Sequence, residues 1–257
     1  MAYRFKEYPY NKDLTLEENT LLDRLYKLRL SGMAEALEKQ FLNPNADLER
    51  FFERITDIIN MEWDQRQSNK FNRLLRNATL KYPKADLDER LYEPERMLDT
   101  HAIELLAKCE WIDSARNLLV TGSSGAGKTY VANALCISAL HSMKTVKYIR
   151  ASTLINECRK ISETDRYLDY LNLMTNYDLL VIDDFGLMPL DTEACRSLFE
   201  VIESRDCRKS TMIISQFPVS SWWDLFGDDT YADACLSRMT FKAHRLEFNG
   251  ADLRKER

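Results

Sequence analysis

The chain has 257 residues, about 1.7 times an average domain, with 45 % hydrophobic and 30 % charged residues. These figures bound it to one large or two modest domains and exclude a wholly disordered, collagen-like or disulfide-stapled chain, while only 7 Gly and 6 Pro point to a helix-rich one. Thirty-six basic against 41 acidic residues leave a net charge of -5, which would argue against a polyanionic partner only if the charges were spread evenly.

The opening stretch MAYRFKEYPYNKD has scattered charges and no apolar signal core, and no segment approaches the ~18 apolar residues of a membrane span. A cytoplasmic protein without membrane attachment is expected. From residue 14 to 63 apolar residues recur at helical spacing: Leu21, Leu25 and Leu28, then Met33, Leu37 and Phe41 after a break at Gly32, then Phe51, Phe52, Ile55, Ile58, Ile59 and Trp63. Three amphipathic helices are predicted.

The span 66–84, RQSNKFNRLLRNATLKYPK, continues the pattern but holds six basic residues (Arg66, Lys70, Arg73, Arg76, Lys81 and Lys84) and no acid. Arg66, Lys70 and Arg73 follow i, i+4, i+7, so a helix lines them on one face. Such a run reads in two ways. It is a solvated helix face, or it is a phosphate-contacting helix whose cations displace condensed counterions and so bind nucleic acid without sequence preference. Pro83 and the polar run KADLDERLYEPER predict a linker over 83–97, dividing a helical N-terminal domain (1–82) from a second domain (98–257).

Beyond the linker β-rich runs alternate with helical ones: Leu118 to Thr121, Thr145 to Ile149, Asp178 to Asp183, Thr211 to Ser215 and His244 to Phe248. Alternation of this kind predicts an α/β fold, a parallel sheet covered by helices on both faces. The six cysteines form no CxxC pair and the three histidines lie far apart, so reduced, mostly buried thiols are expected rather than a zinc site.

The motif with the clearest chemistry is Gly122-Ser123-Ser124-Gly125-Ala126-Gly127-Lys128-Thr129, a full GxxxxGK[ST] between the apolar run NLLVT and the helical run YVANALCISALHSM. Its glycines let the backbone curl so that successive N–H groups face phosphates, and the helix that follows adds its positive N-terminus. Lys128 then reaches the β- and γ-phosphates of ATP, and the Thr129 hydroxyl is a ligand for Mg²⁺. A second element, Leu179-Leu180-Val181-Ile182-Asp183-Asp184, is a buried-strand run ending in two carboxylates, the form of a Walker B box. Asp183 is the candidate for Mg²⁺ and Asp184 for polarising the attacking water, with an Asp where a longer Glu is usual; alternatively one of them caps the next turn. The strand STMIIS ends at Ser215-Gln216, where a polar side chain can orient that water or serve as an ordinary turn residue. Arg238, near the end of the helix YADACLSRM, either salt-bridges locally or projects to a neighbouring subunit's γ-phosphate.

The Walker A, the DD pair, the strand ending in SQ, the Trp222 segment, the ADACLSRM helix and the closing NGADLRK together resemble the IstB-type ATPases of bacterial insertion sequences, which are similar to the DnaC helicase loader and belong to the AAA+ class. LYKLRLSGMAEAL and MEWDQRQSNKFNRLLRNA resemble the helical N-terminal region of the same family. The resemblance covers residues 20 to 255. It implies an AAA+ P-loop core, a five-stranded parallel sheet in the AAA+ strand order without a C-terminal lid, behind a small helical domain. It further implies Ser215 or Gln216 as sensor 1, Arg238 as a finger acting in trans, and Arg254 as a substitute for a lid-borne arginine. The implied activity is ATP-driven self-association on duplex DNA that presents a target to a partner transposase. The rival reading is a helicase loader, whose N-terminal region grips a helicase instead. A monomeric small-molecule P-loop kinase fits less well, because nothing in the sequence marks a substrate lid.

Overall fold

A computed structural model of the chain describes residues 8–87, 98–162 and 164–250. Most of the expected linker (88–97) and Arg254 fall outside these residues. The chain divides into two compact units, residues 1–72 and 73–257.

The first unit is built on three helices, α1 (Leu16–Lys27), α2 (Ser31–Leu42) and the start of α3 (Phe51–Ala78). Thr15 and Glu18 form a reciprocal capping box that opens α1: the Glu18 amide donates to Thr15 Oγ1 (3.2 Å) and the Thr15 amide to Glu18 Oε2 (2.7 Å). Leu14, Leu22 and Ala34 form the core of the α1/α2 pair, flanked by Leu25, Leu37 and Phe41. The break expected at Gly32 falls earlier, at Arg29 (φ 62°) and Leu30, and Gly32 lies within the first turn of α2. Its place there is steric, since a Cβ at Gly32 would stand 2.7 Å from Glu62 Cα and 2.9 Å from Met61 O of α3. The Glu62 carboxylate, 8 % exposed, accepts the amides of Gly32 (2.8 Å) and Met33 (3.2 Å) and so caps α2 from 30 residues away. Phe51, Phe52, Ile59 and Trp63, expected on an amphipathic helix, are solvent-exposed.

The helix α3 runs unbroken for 28 residues, roughly 42 Å, straight through the basic span. Nothing interrupts it because Met61 to Ala78 contains neither Gly nor Pro. It ends at Thr79, which turns out of the helix with φ 53°.

The second unit continues with α4 (Thr100–Ala107), α5 (Glu110–Asp113), β1 (Leu118–Gly122), α6 (Lys128–His141), β2 (Val146–Arg150), α7 (Ala151–Ile161), α8 (Tyr167–Asn176), β3 (Leu179–Phe185), α9 (Thr192–Arg205), β4 (Ser210–Ser215), α10 (Asp229–Thr240) and β5 (His244–Phe248). The five strands form one parallel sheet in the order β2-β3-β4-β1-β5. Each strand lies within a residue or two of its expected place, since near-continuous apolar runs are the mark of strands buried on both faces. The register sets two rows. Ile149, Ile182, Ile213 and Leu119 align on one face, within a core completed by residues of α7, α9 and α10. Tyr148, Val181, Met212 and Leu118 align in the neighbouring row and, by the two-residue period of a strand, point to the other face. Cys109, Cys136, Cys158, Cys195 and Cys235 are buried free thiols and Cys207 an exposed one. Among the described residues no helix is long and apolar enough to cross a membrane.

A buried arginine that the sequence did not single out fastens the helices to the sheet. Arg205, at the end of α9, donates to the carbonyls of Met174 (2.5 Å), Tyr177 (3.0 Å) and Ser210 (2.5 Å) and to Thr211 Oγ1 (3.1 Å). The fork of guanidinium N–H groups meets carbonyls from the end of α8 and the start of β4 at once.

Candidate nucleotide site

The carboxyl ends of β1, β3 and β4 coincide, because Thr121 and Phe185 both pair with Ser215. That register gathers the 122–129 loop, the two aspartates and the Ser-Gln pair at one edge of the sheet, the edge where ligands collect in open parallel sheets.

The loop leaves β1 at Gly122 (φ 139°), where a Cβ would fall 2.2 Å from the carbonyl oxygen of Phe248 on β5. It enters α6 through Gly127 at φ 90°, left-handed backbone that only glycine adopts without strain. Ser123 and Ser124 are exposed and Gly125 half-buried. Lys128 is 6 % exposed, and its Nζ donates to the carbonyls of Gly122 and Ser123, each at 2.7 Å. The loop thus leads straight into the amino end of a 14-residue helix, an arrangement that favours anions.

Thr129, one residue into α6, donates from Oγ1 to Asp183 Oδ2 at 3.1 Å. Asp183 is 1 % exposed, and its other oxygen accepts the Asp184 amide at 2.7 Å. A hydroxyl and a carboxylate this close form the hard oxygen set that Mg²⁺ prefers, so the residues fit that ion. The strand register shifts between Ile182 and Phe185, and Asp184 takes φ 59°. Arg150 Nε, at the end of β2, lies 3.5 Å from Asp184 Oδ2.

Sequence reasoning missed Tyr148. Its hydroxyl donates to Asp183 Oδ2 at 2.5 Å, so that one oxygen receives both Tyr148 and Thr129. Burial and the adjacent carboxylate hold the Tyr148 hydroxyl protonated far above its ordinary range, which makes it the donor. A tyrosine within a strand carries no sequence signal of this; only the register brings it two residues diagonal to Asp183 on the same face.

The sensor candidates separate. Ser215, 1 % exposed, donates to the Phe185 carbonyl (2.8 Å) and accepts the Phe217 amide (3.1 Å), so its hydroxyl is engaged in joining β4 to β3, whereas the Gln216 side chain is exposed at the same edge. Arg238 adopts the local option of its two readings: it pairs with Glu203 of α9, donates to Ala234 O (2.9 Å) and lies over the Phe199 ring at 5.4 Å. Trp222 is fully buried against Phe185, ring centroids 4.8 Å apart, as core packing predicts, while Trp223 is 42 % exposed. Arg159 pairs with Asp191 and Glu193.

The six candidate DNA-contacting residues, Arg66, Lys70, Arg73, Arg76, Lys81 and Lys84, are all exposed. Arg66 also donates to Glu62 Oε1 (2.6 Å) and to the Arg29 carbonyl (3.3 Å), and Lys81 lies over the Tyr82 ring.

Comparison with known proteins agrees with this geometry. Residues 23–257 match the IstB-like ATP binding protein family. An insertion sequence ATP-binding protein of Sinorhizobium fredii is 35 % identical over 234 residues, 91 % of this chain and 95 % of that protein. The ATP-binding protein of insertion sequence IS1162 from Pseudomonas fluorescens is 36 % identical over 200 residues, covering 78 % of this chain and 87 % of its own. Among solved structures, the DnaC helicase loader superposes with a TM-score of 0.51 at 20 % identity over 58 % of this chain and 87 % of that one. A likeness at that identity speaks for the fold alone.

Proposed function

The chain belongs to the IstB-like ATP-binding family, and on that premise we propose that this P-loop ATPase assembles on duplex DNA and helps the transposase of an insertion sequence engage its target. The observation that carries the DNA half is one uninterrupted helix, α3, with Arg66, Lys70 and Arg73 exposed at i, i+4, i+7, Arg76 exposed in its last turn, and two further exposed cations, Lys81 and Lys84, just after it. A stretch of six cations without an acid, in a chain of net charge -5, suits a phosphate backbone better than a protein groove. The printed names of the relatives supply the insertion-sequence setting. A cytoplasmic location goes with this reading.

In the site, residues 122–127 cradle the phosphates through backbone N–H groups and Lys128 swings from the Gly122 and Ser123 carbonyls to the β- and γ-oxygens. Thr129 and Asp183 would hold Mg²⁺, which when bound would offset the charge on those oxygens. Asp184 polarises the attacking water and Gln216 orients it, with Ser215 left to join the strands. Arg238 leaves Glu203 to reach the nucleotide of an adjacent subunit, so ATP favours assembly and hydrolysis releases it. Each added subunit multiplies phosphate contacts, and a long row grips far more tightly than one. Residues 1–82 would then serve DNA and self-association, joined through 83–97 to the ATPase domain, 98–257.

The test is fluorescence anisotropy of a labelled duplex of ~60 base pairs with ATP, with ADP and without nucleotide, against a single-stranded competitor. Cooperative, ATP-dependent binding that prefers duplex supports the proposal. Weak binding or a preference for single strands overturns it in favour of a helicase loader. Replacing Arg66, Lys70 and Arg73 together with Ala lowers duplex affinity and flattens its salt slope by about 0.9 per lost contact; an unchanged slope removes α3 from the interface.

A further inference from the structure

The end of α3 is connected to the metal side of the nucleotide site by three residues. Thr79, the first residue beyond the helix, donates from Oγ1 to the backbone carbonyl of Tyr148 at 2.9 Å. Its hydroxyl also accepts Lys147 Nζ at 3.2 Å. β2 is an edge strand, paired on one side with β3, and Thr79 fastens to its backbone. Tyr148 in turn donates to Asp183, and Asp183 accepts Thr129. The segment after Thr79 is tied to the phosphate-loop helix as well. The Tyr82 amide donates to Asn133 Oδ1 (3.1 Å), the Asn133 amide group donates to the Thr129 carbonyl (2.6 Å), and the Tyr82 and Tyr130 rings lie 6.0 Å apart.

We propose that Tyr148 is a positioning residue for the Asp183 carboxylate and that Thr79, by fixing the backbone of Tyr148, transmits the position of the end of α3 to the site where Mg²⁺·ATP binds. Asp183 is sunk below the surface, and its Oδ2 can take only those orientations in which both Tyr148 and Thr129 reach it. Removing the tyrosine hydroxyl frees the carboxylate to rotate and leaves its charge less well compensated. Moving the Tyr148 backbone moves the same oxygen. Arg73 and Arg76 lie in the last two turns of α3, in the same unit as Thr79, so a load on them has a short helical path to Thr79. The inference rests on the reading of Thr129 and Asp183 as the Mg²⁺ side of the site, but its test contains no DNA and does not depend on what α3 touches.

The experiment titrates a fluorescent N-methylanthraniloyl ATP into the full-length protein in Mg²⁺ and in EDTA, and takes the ratio of the two affinities. In Tyr148→Phe the Mg²⁺ affinity is expected to fall about 10-fold while the EDTA affinity holds, so the ratio collapses. In Thr79→Ala, at an exposed position, the ratio is expected to fall about 3-fold, with Thr79→Ser restoring it. The double variant should be no worse than Tyr148→Phe alone. An unaltered ratio in Tyr148→Phe, or equal losses with and without Mg²⁺, overturns the positioning role. Additive losses in the double variant overturn the transmission through Thr79. A wild-type protein whose affinity ignores Mg²⁺ overturns the metal reading itself, and this inference with it.

Discussion

Lys128 holds its own loop: its ammonium donates to the carbonyl of Gly122 at 2.7 Å and to that of Ser123 at the same distance. The cation thus helps to hold its own loop folded, and on the proposed reading phosphate oxygens replace the two carbonyls when nucleotide binds. Lys128→Ala should therefore weaken ATP binding by about 10- to 100-fold, the worth of one charge-assisted contact. Fluorescent-nucleotide titration measures it, and unchanged affinity would show that the lysine stays on the loop.

Arg238 and Glu203 make the corresponding pair at the far end of α10. If Arg238 acts on a neighbour's nucleotide, Arg238→Ala should bind ATP as the wild type does yet lose the rise in ATPase rate with protein concentration. Glu203→Gln frees the guanidinium from a partly exposed pair, and the protein concentration for half-maximal rate should drop roughly two- to five-fold. Full concentration dependence in Arg238→Ala would refute the assignment.

Glu62 caps α2 from α3, and no solvent replaces it at 8 % exposure. Glu62→Ala should destabilise the first unit by about 2 kcal/mol, with Glu62→Gln costing less because its amide oxygen still accepts. Hydrogen exchange at the Gly32 and Met33 amides reads the effect locally; unchanged protection there would contradict it.

Asp178 ties three strands together at their amino ends. Burial alone would raise its pKa, but Lys209 Nζ (2.6 Å) and the Thr145 amide and hydroxyl (2.8 Å each) outweigh that and hold the carboxyl below its usual range. A carboxyl depressed in the folded state adds stability that is complete above the unfolded value of about 4 and disappears as pH falls through the folded one. Thermal unfolding followed downward from about pH 5 should thus show a steeper decline in the wild type than in Asp178→Asn. Parallel curves would mean the carboxyl is not linked to folding.

Much of this molecule can be read from local pattern. The five strands, the glycine loop and the Asp183-Asp184 pair each declare themselves within eight or so residues, because a buried parallel strand and a phosphate loop impose composition on contiguous chain. What escapes is whatever depends on register or distance along the chain. Tyr148 looks like any strand tyrosine until β2 is aligned with β3. Arg205 reads as the basic last turn of an amphipathic helix, although it is 1 % exposed. Glu62 did leave a trace: a lone acid four residues after buried Ile58, where the apolar stripe of α3 should continue. Arg238 shows the converse, a residue whose expected task lies in another subunit and whose own chain gives it a resting place beside Glu203.

Gly122 carries a consequence for how the protein is made. It pairs with Phe248 so closely that no side chain fits between them. The mouth of the phosphate loop is thus bounded by β5, which leaves the ribosome long after the loop itself. A nascent chain halted before β5 holds every loop residue and still lacks the wall against which the loop is set, so on the proposed reading nucleotide capture waits for β5. A defect in a Gly122 variant would accordingly report on closure of the sheet as much as on phosphate binding.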